Sequence, residues 1–460
     1  MTGSTDGLIA KAVQGEARPH KWFGVAFGRR FFLLMGVGLV WIVPAFADPR
    51  AGFAMLAWDG LVLAAWVIDL LQVRRAQPLV VRRAWSAPAA LSVDGVVELS
   101  LANDSATAVR ATVVDGVPQE LRSAPPAVHV SVEPRSRATA SYTVRPTTRG
   151  EVTIGDAFLR CQGPLRIAER WLRAPLAQQV RVYPNLEEAK RDSVYLVRSR
   201  QIALEKRHTH VRGAGREFES LREYQVGDEF RDICWTASAR RGKLVTRTYQ
   251  VERSQTIWIV IDSGRLMRAR IGGLTKLDYA VNAALSLAQV ALYSGDRVGL
   301  LSYGRAVRQR VPAARGSSHL RQVIEHLAAV RGESSEADHL LAAGRLLADQ
   351  KRRSLIVWLT DLAETAMTPE VVEAASQASQ RHLVLFVVIG QPDLGELAAR
   401  EPTDVSSLYQ VAAAQEVVHR RELLLAQLRG RGVLALQAES ATLSPAVVNS
   451  YLSVKERGQI

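Results

Sequence analysis

The chain has 460 residues, of which 48% are hydrophobic and 23% are charged, and its formal net charge is +14. This length allows two or three domains, and the composition is that of a globular protein rather than a disordered one. The positive charge favours nucleic acid or an anionic membrane surface as a neighbour. Cys161 and Cys234 form no C-x-x-C pair, which argues against a disulfide framework and is typical of reduced thiols.

Two apolar runs near the N-terminus predict a pair of transmembrane helices at residues 31–75. Residues 31–47 carry no charge, and residues 53–71 contain only Asp59 and Asp69 as charged residues. A span needs about 20 apolar residues, so the two short runs together indicate a helical hairpin. A second apolar run argues against a cleaved signal peptide, and a buried soluble hairpin is the alternative. A charge at the bilayer centre costs about 3 kcal/mol, so we expect Asp59 to face the partner helix or another subunit.

Basic residues flank this hairpin on one side. They are Lys21, Arg29, Arg30, Arg74, Arg75, Arg82 and Arg83, whereas the turn holds only Arg50. The positive-inside rule then predicts a bacterial inner-membrane protein with residues 1–30, the C-terminus and all soluble domains in the cytoplasm. The juxtamembrane arginines account for part of the net charge without nucleic acid.

Residues 78–185 predict an antiparallel β-sandwich. Short alternating runs such as VVELSLAN and TASYTVRPT are bounded by Gly, Pro, Asn or Asp, as is typical of evenly spaced strands. The region contains no clustered histidines and no Ser-His-Asp set, so we interpret it as a spacer or an interaction module.

A linker helix and a highly charged segment follow at residues 186–254. Its apolar residues include Phe218, Leu221, Tyr224, Phe230, Ile233 and Trp235. Apolar anchors among opposite charges predict a partly buried loop held by ion pairs. His208 and His210 precede the loop, and two histidines without a third ligand are more typical of a solvated loop than of a metal site.

This segment resembles the signature of domain-of-unknown-function family fifty-eight (DUF58). The matching residues are Gly213, Gly215, Glu217, Phe218, Leu221, Arg222, Tyr224, Gly227, Asp228, Arg231, Ile233, Trp235, Ala239, Arg240, Gly242 and Leu244. The resemblance extends to the hairpin before the segment, to the domain after it and to the ending VVNSYLSVKERG, and so covers nearly the whole chain. It implies a role beside a MoxR-type AAA+ ATPase in the assembly or maturation of other proteins.

The signature has two compatible interpretations, a clasp between domains and a docking surface for a partner. The partner-binding candidates are Glu217, Arg222, Asp228, Arg231, Trp235 and Arg240. We expect Trp235 to be a buried anchor, because a large aromatic residue among charges buries much area. We expect Asp228 and Arg231 to be structural, because they flank apolar residues, and Arg222 and Arg240 to be exposed for binding.

Residues 255–460 alternate between strand and helix patterns. Continuous apolar runs such as TIWIVID, SLIVWLTD and LVLFVVIG predict a doubly wound, mostly parallel α/β sheet covered by helices on both faces. We interpret this region as a Rossmann-like, von Willebrand factor A-like domain. Asp262 and Asp361 each end a strand, and in such domains those strands are neighbours, so two carboxylates meet where a hard cation could bind.

The predicted metal site is degenerate. Domains of this kind with a working site carry D-x-S-x-S, but here Gly264 and Leu266 replace both serines, and Arg265 adds a positive charge. Ser334 or Ser335 could replace a threonine ligand. Because two oxygen ligands are lost, we expect Mg²⁺ to bind weakly or not at all. The alternative is a structural pair of aspartates that cap loops and helix starts, and no other cofactor is expected.

Three functions fit some features of this sequence. We expect the first, a non-enzymatic, membrane-anchored adaptor. A nucleic-acid-binding membrane protein fits the charge, but the arginines are spread over every segment and no recognition motif is present. A metal-dependent hydrolase at the switch point would use Asp262 and Asp361, but the sequence has no phosphate-binding loop, nucleophile elbow or H-E-x-x-H motif. No catalytic residue is therefore expected.

Overall fold

The computed structural model describes residues 8–19, 24–46, 48, 50–75, 78–185, 217–225, 230, 233–250, 255–362 and 369–459. The chain divides into two compact units, Met1–Leu186 with Leu327–Ala329, and Glu187–His326 with Val330–Ile460. The first stretch of the first unit, Met1–Leu186, ends one residue after the predicted sandwich boundary at residue 185.

The helices of the first unit are α1 (Arg29–Gly38), α2 (Ile42–Ala45) and α3 (Arg50–Arg75). Among the described residues, one helix is long and apolar enough to cross a membrane, Gly52–Arg75, with a mean hydropathy of 1.8. It contains the second predicted run. The first predicted run is not one continuous helix, because a 3-10 turn at Leu39–Trp41 divides it. Gly38 before the turn and Pro44 after it both destabilise a helix interior, which explains why the helix is interrupted here.

The helices α1 and α3 pack together over the middle of α3. The Trp58 Nε1 donates to the Leu34 carbonyl oxygen at 2.8 Å. Gly38 lies so close to Asp59 that an added Cβ would stand 2.8 Å from its Oδ1 atom. Asp59 therefore faces the first helical segment, as expected. The outward side chains of both segments are apolar and exposed, among them Phe32, Leu33, Val40, Val43, Phe46, Phe53 and Leu56.

Antiparallel strands make up the rest of this unit. They are β1 (Val13–Pro19), β2 (Val25–Phe27), β3 (Leu79–Trp85), β4 (Gly95–Asn103), β5 (Val109–Asp115), β6 (Ala127–Val132), β7 (Ser136–Val144), β8 (Gly150–Ile154), β9 (Ala157–Gln162), β10 (Ala168–Ala174) and β11 (Gln178–Val182). The order is β6-β5-β9-β10-β1-β3-β4-β7, with β2 beside β10 and with β8 and β11 paired separately. The β-rich region that the sequence predicts is confirmed.

The sheet also contains two strands that precede α1 in the chain. Residues 13–17 of β1 pair with β3, and residues 18–19 pair with β10, while β2 pairs with β10. Within residues 1–30, the strands β1 and β2 therefore belong to this sheet. The strand is short and polar on its outer face, with Ala17 as its buried residue, so its sequence gives little hydrophobic signal.

A buried ion pair lies among the strands of the first unit. Arg83 and Asp115 are fully buried; the Arg83 Nε donates to Asp115 at 2.9 Å and its Nη1 donates to the Leu176 carbonyl oxygen at 2.7 Å. Tyr142 donates its hydroxyl to the same carboxylate at 2.6 Å. Arg83 is thus a core residue and not one of the membrane-flanking charges, a correction to the interpretation from the sequence.

The second unit contains a pair of antiparallel strands and a larger α/β sheet. Its elements are β12 (Glu217–Glu223), α4 (Trp235–Arg241), β13 (Val245–Gln250), β14 (Thr256–Asp262), β15 (Arg270–Ile271), β16 (Leu274–Thr275), α5 (Lys276–Tyr293), β17 (Arg297–Tyr303), β18 (Val307–Ala314), α6 (Ser317–Ala329), α7 (His339–Asp349), β19 (Leu355–Thr360), α8 (Pro369–Ser379), β20 (Leu383–Gly390), α9 (Pro392–Ala399), α10 (Val405–Gly430), β21 (Leu434–Glu439) and α11 (Leu443–Glu456).

The six-stranded sheet has the order β18-β17-β14-β19-β20-β21 and is parallel except at β18. Trp258 and Val260 of β14 pack with residues of α7, α8 and α10, and the alternate residues of β14 are equally buried, with α5 packed on β14 and β17. Helices therefore cover both faces, and the mostly parallel α/β arrangement predicted for residues 255–460 is present.

Candidate functional site

Two acidic side chains meet at the carboxyl edge of the parallel sheet. Asp262 ends β14 and Asp361 directly follows β19, and these strands are hydrogen-bonded neighbours, with Ile261 opposite Leu359. The carboxyl ends of parallel strands lie at one edge, so both residues reach the same place. They are 3% and 1% exposed.

Both carboxylate oxygens of Asp262 accept hydrogen bonds. The Gly264 backbone N–H donates to Oδ1 at 2.7 Å, and the Thr360 hydroxyl donates to Oδ2 at 2.6 Å. Burial raises the pKa of Asp262 to about 6, the two hydrogen bonds oppose that rise, and the negative charges of Asp361 and Glu333 add to it. This aspartate organises the loop after β14, as the structural alternative predicts.

Asp361 is held by two buried cations. The Lys276 Nζ lies 2.5 Å from Oδ2, and the Arg421 Nη2 lies 3.2 Å from Oδ1. The three side chains are at most 4% exposed. A buried carboxylate needs such partners, because its desolvation is costly.

The local sequence positions both cations. Lys276 is the first residue of α5, and Thr275 and Asp278 form a capping box that fixes this end of the helix. Arg421 stands on the buried stripe of α10, with Val411, Ala414, Leu424 and Leu428. Neither cation was identified from the sequence. A charged residue in the register of an apolar helical stripe is the signal that could have revealed Arg421.

Two loops are hydrogen-bonded to each other at this edge. The Glu333 N–H donates to the Ser263 carbonyl oxygen at 2.7 Å, and the Arg265 N–H donates to the Ser335 carbonyl oxygen at 2.9 Å. The Ser335 hydroxyl donates to Glu333 at 3.3 Å and not to Asp262 or Asp361. No group of three or more His, Cys, Asp or Glu side chains suited to a metal ion occurs among the described residues.

In the signature segment, β12 and β13 form an antiparallel pair, and α4 follows Cys234. Trp235, the first residue of α4, is 66% exposed, so the prediction that it is a buried anchor is wrong. The buried residues are smaller: Ile233, Cys234 and Val245 are at most 7% exposed. The Cys234 N–H donates to the Val245 carbonyl oxygen at 2.8 Å, so α4 is anchored at its entry rather than by its tryptophan.

The other signature candidates that the structure describes differ in their exposure. Arg240 is exposed in the last turn of α4, as expected. Arg222 is half-buried, and its Nη1 lies 3.3 Å from the Glu223 carbonyl oxygen. Glu217 belongs to β12 through its backbone. Asp228, Arg231, His208, His210 and the linker helix lie outside the described residues.

Comparison with known proteins gives relatives without an assigned activity. The uncharacterized protein Mb1516 of Mycobacterium bovis is 25% identical over 199 residues, which are 42% of this chain and 62% of Mb1516. The chain thus matches less than two thirds of the length of this relative.

Two solved structures have low similarity scores. BatB from Bacteroides thetaiotaomicron covers 44% of this chain and 100% of its own, with 14% identity and a TM-score of 0.32. The vWF domain of the pilus tip protein Mfa5 from Porphyromonas gingivalis covers 44% of this chain and 95% of its own, with 10% identity and a TM-score of 0.31.

The family comparison covers most of the signature and most of the large sheet. Residues 220–410 match the family described as "Protein of unknown function DUF58". The matched range begins within β12 and ends within α10, so it includes Asp262, Lys276 and Asp361. Residues 220–410 therefore match the family that the signature resembles.

Proposed function

We propose that this protein is a non-enzymatic, membrane-anchored adaptor whose von Willebrand factor A-like unit binds a protein partner, a MoxR-type AAA+ ATPase, at the carboxyl edge of its sheet. The observation that carries the proposal is a set of exposed arginines on the loops around this edge. Arg268, Arg305 and Arg331 are exposed and form no ion pair within the described chain. Unpaired arginines are typical anchors for an acidic face of a partner.

The aspartate pair supports binding over catalysis. A general acid, base or nucleophile must reach its substrate, whereas Asp262 and Asp361 are buried and hydrogen-bonded to the protein itself. A hydrolase at this edge would need these groups to be accessible.

The anchor in this proposal is the apolar segment from α1 to α3, with both termini in the cytoplasm. The strands β1 and β2 precede the segment, and they pair with β3 and β10, which follow it. Strands of one sheet must fold on one side of a membrane, so this pairing supports a chain that enters and leaves on the same side. The exposed Arg74 and Arg75 at the end of α3 support a cytoplasmic location for that side.

The proposal is tested by reversing charge at the edge. The double variant Arg305→Glu/Arg331→Glu should weaken binding of a purified MoxR-type ATPase from the same genome by about tenfold or more, since two attractive contacts become repulsive. Arg352→Glu is the matched control, because this exposed arginine precedes β19 at the opposite edge of the sheet. Affinity would be measured on the full chain in detergent.

The result that contradicts the proposal is equal affinity for the wild type and the double variant. Binding of duplex DNA with a steep salt dependence, lost in the same double variant, would instead favour the nucleic-acid alternative.

A further inference from the structure

The carboxyl edge of the sheet already contains a cation, the ammonium group of Lys276. Its Nζ lies 2.5 Å from Asp361 Oδ2, and the two side chains are 2% and 1% exposed. The other oxygen of Asp361 accepts from Arg421 at 3.2 Å. A metal ion bound by Asp361 would need one of these oxygens and would stand beside two positive charges, which is unfavourable at any effective dielectric constant of the interior.

The ligand position at Gly264 is also closed. A Cβ added to Gly264 would stand 2.9 Å from the Ala337 backbone nitrogen and 3.0 Å from the Ala337 Cβ, so the loop packs where a serine ligand would stand. Each oxygen of Asp262 accepts one hydrogen bond, from Gly264 or from Thr360, which leaves each oxygen one further lone pair. While Lys276 and Arg421 hold Asp361, the site residues therefore do not fit a divalent cation, which needs six or more oxygen ligands.

We propose that Lys276 is a built-in replacement for the divalent cation at this edge. Its ammonium neutralises Asp361, and Arg421 adds a second positive charge at the other oxygen of the same carboxylate. Ligand binding at this edge is therefore independent of divalent metal, and a partner carboxylate reaches the exposed arginines directly rather than through a bridging ion. The replacement itself does not depend on the proposed partner, because it concerns contacts within one chain.

Manganese binding tests this inference, with the full chain in detergent and Mn²⁺ followed by electron paramagnetic resonance. The wild type should show no saturable Mn²⁺ binding. Lys276→Ala removes the ammonium and opens space beside Asp361, and it should gain a saturable site that Asp262→Asn in the same chain abolishes. Arg421 still pairs with Asp361 in this variant, which favours retention of the fold. Lys276→Met is the control, because it removes the charge but keeps the space filled, and it should gain no site.

Two outcomes would overturn the inference. One is a saturable Mn²⁺ site in the wild type that Asp361→Asn removes, and the other is a folded Lys276→Ala variant without any gain in Mn²⁺ binding.

A measurement on the wild type covers the case in which Lys276→Ala does not fold. Reductive methylation followed by peptide mass spectrometry should leave Lys276 unmodified, with or without Mn²⁺, while the exposed Lys351 is modified. Methylation of Lys276 that appears only with Mn²⁺ would mean that the metal displaces the ammonium, contrary to the inference.

Discussion

A chain of buried polar side chains crosses the core of the α/β sheet. The Trp358 Nε1 donates to the Tyr303 hydroxyl at 2.6 Å, and that hydroxyl lies 2.8 Å from the His339 Nδ1. Burial lowers the pKa of His339 to about 4 and raises the pKa of Tyr303 far above its usual range. The neutral imidazole can accept the hydrogen bond from Tyr303, whereas a protonated imidazole could not.

This histidine should make the stability of the sheet depend on pH. The unfolded chain protonates His339 near pH 6.5, and the folded chain does so only near pH 4. The stability that neutral His339 contributes is therefore fully present above pH 6.5 and falls by about 3 kcal/mol as the pH drops to 4. In His339→Gln the thermal midpoint, followed by tryptophan fluorescence, should fall several degrees less between pH 7.5 and pH 4.5 than in the wild type. Parallel falls in both proteins would contradict this assignment.

The sequence located the aspartates of the site but not their partners. Asp262 and Asp361 could be identified because each ends a continuous apolar run, and parallel strands bring such ends together. Lys276 and Arg421 come from two helices that are distant in the chain, and only tertiary packing directs both toward Asp361. The absence of serine hydroxyls at Gly264 and Leu266 predicted only a weakened metal site, because an internal cation that replaces a metal ion has no local sequence pattern.

At the level of elements, the continuous apolar strands were predicted well, and the amphipathic or interrupted ones were not. The strands β14, β17, β19 and β20 match the predicted runs, because strands buried on both faces carry an unbroken apolar signal. The antiparallel edge strand β18 and the pre-hairpin strand β1 are partly polar and were missed. The ending VVNSYLSVKERG forms most of α11, where Tyr451 and Lys455 contact the buried Asp296 at 2.5 and 2.7 Å.

The exposed tryptophan of α4 separates the two interpretations of the signature. Trp235→Ala should change stability by less than about 0.5 kcal/mol, since the side chain is mostly exposed, whereas Ile233→Ala should cost about 2 kcal/mol or more as a buried truncation. Thermal midpoints of the two full-length variants in detergent would measure this. If Trp235 contributes to docking, its variant also loses partner affinity while it keeps its midpoint. A midpoint that falls as far in Trp235→Ala as in Ile233→Ala would restore the buried-anchor interpretation.

Across the first unit, a buried carboxylate connects the apolar helix to the sandwich. Asp69 of α3 is fully buried and accepts backbone hydrogen bonds from Leu165, Ile167 and Ala168 at 2.9 to 3.0 Å. Gly163 is required beside it, because an added Cβ would stand 2.1 Å from the Asp69 Oδ1. The end of α3 is thus built into the turn before β10, so any membrane surface crossed by α3 lies close to this turn.

The hydrogen bonds of Asp69 and the pairing of β1 with β3 and β10 make the topology of the whole chain testable. Under the proposed orientation, alkaline phosphatase fused after residue 460 should be inactive and green fluorescent protein fused there should fluoresce. The reason is that β1 pairs with β3 and β10, so these strands share one side of the membrane, and the proposal assigns that side to the cytoplasm. Alkaline phosphatase inserted between α2 and α3 should be active, since that turn is expected to face the periplasm. The reciprocal reporters serve as controls at each position, because alkaline phosphatase folds only in an oxidising compartment. Active phosphatase at the C-terminus would mean that the orientation is the opposite of the proposed one. An inactive insertion between α2 and α3, together with a cytoplasmic C-terminus, would mean that the helices do not cross the membrane.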